Sequence, residues 1–122
     1  MATILVIDDE RLLCDLLQEM LRRHGHEVFT AYSGQDGIQA FQRHRPQFTL
    51  LDLHLPDMNG IDVLRQLRAK NYQGGVMMLT GSQDENLLKE ALGLGALDIV
   101  GKPADLERIG LAIEVSLILA AR

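Results

Sequence analysis

The 122-residue chain holds one cysteine, Cys14, so no internal disulfide can form. It also has no run approaching the ~20 uninterrupted apolar residues that a membrane span requires. Basic residues are in the minority, 12 Lys and Arg against 17 Asp and Glu, and nowhere do they cluster. This balance argues against this chain alone holding nucleic acid, because neutralising phosphates needs grouped cations. The N-terminus turns acidic at Asp8, where a signal peptide would carry a basic start and a longer apolar core. On these absences the chain is expected to be cytoplasmic, with no membrane as a partner.

What is present is ordinary for a globular protein: 47% hydrophobic residues, 24% charged, and a formal net charge of −5. That composition excludes disordered and collagen-like classes. The length suits one domain, residues 1–122, which buries roughly two thirds of its unfolded surface and needs no metal or disulfide to fold. Cys14 lies in a leucine-rich stretch and is expected to be a buried, inert thiol.

Short apolar runs alternate with longer segments of helical period. Thr3 to Ile7 reads as a strand, and Arg11 to His24, with Leu13, Leu16, Leu17 and Met20 at spacings of three and four, as an amphipathic helix. A second strand is expected over Glu27 to Ala31, followed by a helix capped by Ser33 and stopped near His44 by Pro46. Phe48 to Leu51 and Gly60 to Ala69 form the third pair. Gly74 and Gly75 break the chain before a strand over Val76 to Leu79, and the fourth helix over Asp84 to Leu92 ends at Gly93 and Gly95. Leu97 to Val100 and Asp105 to about Ala120 complete the series. Five strands alternating with five helices through short connections imply parallel βαβ units covered on both faces. The expected fold is α/β, a flavodoxin-like (βα)5 three-layer sandwich with strand order 2-1-3-4-5.

Asp8 and Asp9 directly follow the first strand and Asp52 follows the third. In open α/β sheets ligands bind beyond the carboxyl ends of strands where the winding reverses, which for this order lies between strands 1 and 3. Three carboxylates facing one cleft drive protonation of one member unless a cation joins them. Hard oxygen ligands that leave room for water and phosphate oxygens suit Mg²⁺, with Mn²⁺ as a substitute. Thr80 and Lys102 end the fourth and follow the fifth strand, so both open onto the same edge. One divalent ion and Lys102 balance the three carboxylates. Individually these residues have plainer uses: Asp8 and Asp9 as helix caps, Thr80 as a turn residue, Lys102 as a loop cation. His24, His26 and His44 lie near helix ends and are expected at the surface.

Together the motifs I-D-D-E (Ile7 to Glu10), L-D-L-H-L-P-D-M-N-G (Leu51 to Gly60), L-T-G (Leu79 to Gly81) and G-K-P (Gly101 to Pro103) resemble the receiver domain of two-component response regulators over essentially the whole chain. The resemblance implies that Asp52 is the phosphoacceptor for a sensor histidine kinase or phosphotransfer protein. It also implies a Mg²⁺ site formed by Asp8, Asp9, Asp52 and the main-chain carbonyl of His54. By the same resemblance Thr80 and Lys102 bind the phosphoryl group, the Lys102–Pro103 bond is cis, and the side chains of His54 and Ser82 tune phosphoryl lifetime. Such a domain catalyses its own phosphorylation and dephosphorylation and turns over no separate substrate, so it is not expected to be an enzyme in the usual sense.

Two departures bear on output. Where the family commonly has Tyr or Phe three residues before the lysine, this chain has Ile99, which has no ring to swing inward. The fifth helix is apolar beyond one stripe: Leu106, Ile109, Ile113 and Leu117 suit the core, while Leu111, Val115 and Ile118 are surplus. A homodimer through the fourth helix, fifth strand and fifth helix, or a fused or separate effector domain, would cover that surplus. Three alternatives fit less well. A pseudo-receiver scaffold needs none of Asp52, Thr80 and Lys102. A haloacid-dehalogenase-type phosphatase carries D-x-D after its first strand. A flavin carrier needs a Ser-, Thr- and Gly-rich loop where Asp9-Glu10-Arg11 stands.

Overall fold

The strand-forming runs become β1 (Thr3–Ile7), β2 (Glu27–Ala31), β3 (Phe48–Asp52), β4 (Gly75–Thr80) and β5 (Asp98–Gly101) in the computed structural model, which describes residues 2–81 and 84–121. Between and after them lie α1 (Arg11–Arg23), α2 (Gly34–His44), α3 (Gly60–Ala69), α4 (Glu85–Gly93) and α5 (Leu106–Ala120). The sheet is wholly parallel, in the order β2-β1-β3-β4-β5, which is the expected flavodoxin-like topology. Among the described residues no helix is long and apolar enough to cross a membrane.

Alternation along each strand divides the core in two. Leu5, Ile7, Leu51, Val76 and Met78 face α2, α3 and α4 through Ile38, Phe41, Ile61, Leu64, Leu67 and Ala91. Ile4, Val6, Phe48, Leu50, Met77 and Leu79 face α1 and α5 through Cys14, Leu17, Leu21, Ile109 and Ile113. On α1 the buried line is thus Cys14, Leu17 and Leu21, and Leu16 of the expected stripe lies outside it, exposed. Burial pushes the Cys14 thiol up to about 12, with the nearby Asp8 charge adding to it, as an inert thiol requires.

Several boundaries move by one residue. Gly75, read from sequence as a breaker, is the first residue of β4 and pairs with Phe48; a β-carbon there would fall 2.7 Å from the Phe48 ring. Leu97 precedes β5 and is exposed. Asp84 and Asp105 cap their helices instead of beginning them, as Ser33 and Asn59 do for α2 and α3.

His26 corrects the expectation of a surface histidine. It is buried, its Nδ1 accepts from the Ala2 N–H at 3.2 Å, and its Nε2 lies 2.7 Å from Glu114 Oε1 on α5. With Nδ1 accepting, Nε2 carries the proton and donates to Glu114. His24 is exposed as expected, while His44 is half-buried and stacks on Phe29. At the same amino-terminal edge of the sheet, the Arg68 guanidinium donates to the carbonyls of Tyr72, Gly74, Leu94 and Gly95, pinning the turns before β4 and β5 together.

Candidate functional site

Because all strands are parallel, their carboxyl ends share one edge, and the acidic residues collect there. Asp52 is the last residue of β3, at the centre of the sheet, with Asp8 one residue beyond the neighbouring β1. Oxygens of Asp8, Asp9 and Asp52 lie within 4.8 Å of one another. Asp8 is fully buried and Asp52 nearly so, while Asp9 is exposed at the rim.

The Asp8 and Asp52 carboxylates are held from the backbone. Asp8 donates its N–H to the Ala31 carbonyl at 3.0 Å and its Oδ1 accepts from Glu10 N at 2.9 Å. Asp52 Oδ1 accepts from His54 N at 3.2 Å. Gly60 is needed beneath this strand end, since a β-carbon on it would fall 2.2 Å from the Asp52 carbonyl oxygen. The first turn of α3 therefore rests directly on the backbone of Asp52.

Lys102 reaches in from beyond β5, with its N–H donating to the Thr80 carbonyl at 2.9 Å. Its Nζ stands 2.8 Å from Glu10 Oε1, 2.9 Å from Asp8 Oδ2 and 3.1 Å from Asp52 Oδ2. Thr80 is buried at the end of β4, paired across the ladder with Gly101. The Lys102–Pro103 bond is cis. Ile99, half-buried on β5, packs with Leu87, Leu88 and Leu94 against the α2–α4 side of the core. His54 is exposed two residues past Asp52, and Ser82 lies outside the described residues.

Glu10 is the member that sequence reasoning missed. It stands directly after the aspartate pair and closes the I-D-D-E motif, yet only the folded chain turns its carboxylate onto Lys102. With it, three carboxylates face the Lys102 ammonium, and counting Asp9 the cluster carries four carboxylates against one cation, three formal negative charges in excess. Burial pushes the Asp8 carboxyl above its ordinary range, the Asp52 charge adds to this, and the Glu10 amide and Lys102 oppose it. For Lys102, burial pulls its pKa down, but the contacts to Glu10, Asp8 and Asp52 outweigh it and hold the ammonium above its usual range. Asp8 Oδ2 is buried with no aligned hydrogen bond and meets Lys102 only as an ion pair. Hard, close-set oxygens with unused lone pairs and surplus negative charge fit a small divalent cation.

Comparison with known proteins agrees with this geometry. Residues 4–114 match the family model described as the response regulator receiver domain. The chain is 37% identical over 115 residues to the probable transcriptional regulatory protein TcrX of Mycobacterium tuberculosis, covering 94% of this chain and 49% of TcrX. It is 31% identical over 114 residues to the probable C4-dicarboxylate response regulator DctR of Priestia megaterium, covering 92% of this chain and 50% of DctR. The chain thus spans about half the length of the curated relatives it matches. Among solved structures, NtrX from Brucella abortus is similar with a TM-score of 0.88 at 29% identity, covering 98% of this chain and 27% of that one. A CheY-like response regulator receiver domain protein from Methanospirillum hungatei JF-1 is similar with a TM-score of 0.90 at 25% identity, covering 94% of this chain and 92% of that one. With a family model matched along nearly its full length, strand order 2-1-3-4-5, and an acidic cluster at the carboxyl edge of the sheet, the chain belongs to the response regulator receiver domains of two-component systems.

Proposed function

We propose that Asp52 accepts a phosphoryl group from the phosphohistidine of a partner kinase or phosphotransfer protein, in a reaction that depends on Mg²⁺ or Mn²⁺. Asp8, Asp9, Asp52 and the His54 main-chain carbonyl would hold the ion, which when bound neutralises charge on the transferring group. An Asp52 oxygen forms a bond to phosphorus while the phosphorus–nitrogen bond of the phosphohistidine breaks. The electron pair leaves with the imidazole, and the product is an acyl phosphate. Lys102, shared among three carboxylates before transfer, takes a phosphate oxygen as a new partner, and the Thr80 hydroxyl donates to another.

The observation that carries this reading is the Asp52 carboxylate at the end of the central strand, clustered with Asp8 and Asp9 and 3.1 Å from the Lys102 ammonium. Beside Lys102 an apolar depression lined by Leu12, Leu13, Leu16, Pro103, Ala104 and Leu106 offers a partner a seat next to the acceptor. The α4, β5 and α5 face is proposed for output, through a second copy or an effector domain, because it exposes Leu97, Leu111, Val115, Ile118 and Leu119. With Ile99 in place of a ring, that face stays competent without an aromatic swing.

The test is incubation with acetyl phosphate and Mg²⁺ followed by intact mass. One added phosphoryl group is expected, absent in Asp52→Asn and after chelation. A wild type that gains nothing overturns the reading.

A further inference from the structure

The loop from Leu53 to Asn59 joins the acceptor strand to α3, and at its tip stands a carboxylate that the site does not contain. Asp57 reaches across to α2, where its Oδ1 accepts from Gly34 N at 2.8 Å and its Oδ2 from Gln35 N at 2.9 Å. Those N–H groups belong to the first turn of a helix 22 and 23 residues away in sequence and have no partner within their own helix. Ser33 already caps α2 through Asp36 N, so Asp57 is a second cap, supplied from outside the helix. The amides of Gln35 and Gly34 hold its carboxyl below the usual carboxylate range.

A second observation shows that the loop is seated on α2 and does not merely touch it. A β-carbon on Gly34 would fall 2.3 Å from Met58 Cγ, so the residue after Asp57 lies against the bare backbone of the helix start. The loop is also internally closed: Gly60 N donates to Leu53 O at 2.7 Å, Leu55 N to Met58 O at 3.3 Å, and His54 pairs with Asn59 as an isolated antiparallel bridge. Its base carries the His54 N–H that holds Asp52 Oδ1. A closed turn fastened at its tip transmits that fastening to its base.

We propose that Asp57 is a positioning residue, which clamps the loop onto α2 and thereby presets the His54 main chain and the Asp52 carboxylate for the divalent cation. It touches neither the ion nor the phosphoryl group. This inference rests on the reading of the acidic cluster as a metal pocket.

The experiment compares wild type, Asp57→Asn and Asp57→Ala as full chains. In metal-free protein, amide hydrogen exchange at Gly34, Gln35 and residues 53–59 should quicken in Asp57→Ala, with Asp57→Asn intermediate because its one remaining oxygen keeps one bond. The Mg²⁺ midpoint, read by calorimetry, should weaken about tenfold in Asp57→Ala, the lower end of the range for residues that orient metal ligands. Labelling by acetyl phosphate should return to the wild-type rate at saturating Mg²⁺. A cap acting on α2 alone would quicken exchange at Gly34 and Gln35 and leave the midpoint where it was, which overturns the clamp. A rate defect that saturating Mg²⁺ does not rescue also overturns it. If Asp57→Ala fails to fold, the Asn variant carries the same comparison. A wild type that binds Mg²⁺ yet takes no phosphoryl group sinks the proposed function, while the midpoints still judge the clamp; a wild type that binds no Mg²⁺ sinks both.

Discussion

The Lys102 ammonium stands 2.8, 2.9 and 3.1 Å from three carboxylate oxygens, and one of them, on Asp8, is wholly buried. A single cation so shared leaves Asp8 incompletely compensated. The sign of the consequence follows from its raised pKa: in the folded chain Asp8 binds its proton more tightly than the ordinary 3.8. Stability from that proton is full below about pH 3.8 and is lost as pH rises through the folded value. Asp8→Asn should therefore raise the metal-free melting temperature at pH 7, by an amount corresponding to about 1 kcal/mol, with the gain vanishing toward acid. Added Mg²⁺ should reverse the order of the two proteins; thermal melts at several pH values, with and without chelator, check both halves. His54 calls for a different measurement. It is exposed two residues past Asp52; on the proposed reading its side chain governs the approach of attacking water, so His54→Ala should change the decay rate of the phosphorylated domain several-fold while leaving labelling intact. Equal decay in the two proteins removes that role.

For the elements, the contact between α3 and the end of β3 fixes how Asp52 is presented. Gly60→Ala would drive a β-carbon into the Asp52 carbonyl oxygen, and backbone cannot swing aside as a side chain can. It should cost about 1–3 kcal/mol of stability and depress phosphoryl labelling with it, as denaturant titration and intact mass would show. The periodic pattern made the existence and order of all ten elements legible, because a parallel sheet needs continuous apolar strands and each helix needs a stripe. Which face of α1 is buried was less legible: Leu16 and Leu17 satisfy the same spacing, and only the rotation of the helix against β1 and β2 buries Leu17. His26 was misjudged for a similar reason. Its surroundings are made by Ala2 and by Glu114 on α5, 88 residues away, and no local pattern announces that meeting.

Taken whole, the molecule has a negative pocket at one edge of the sheet and an apolar face on α5. Filling the pocket should stabilise the entire fold, since a ligand bound to the native state alone at 100 times its dissociation constant contributes about 2.7 kcal/mol. The exposed face includes Leu111 at 67%, Leu119 at 61% and Ile118 at 58% exposure, with a groove of about 400 Å³ between α5 and β5. If a second copy covers it, light scattering of acyl-phosphate-treated protein should show a dimer at high concentration, and Leu111→Glu should return it to monomer without altering labelling. A monomer under all conditions would leave this face to an effector domain.

The residues proposed to carry chemistry could be placed together from the sequence because each is tied to a strand end: a parallel sheet brings all such ends to one edge, so Asp8, Asp9, Asp52, Thr80 and Lys102 had nowhere else to meet. What the tertiary structure alone decided is which neighbours they share. Glu10 on Lys102, Asp57 on the first turn of α2 and Glu114 on His26 are contacts between segments distant in sequence, fixed by helix rotation and loop closure, and side-chain reach across a packed interior leaves no periodic trace in the order of residues.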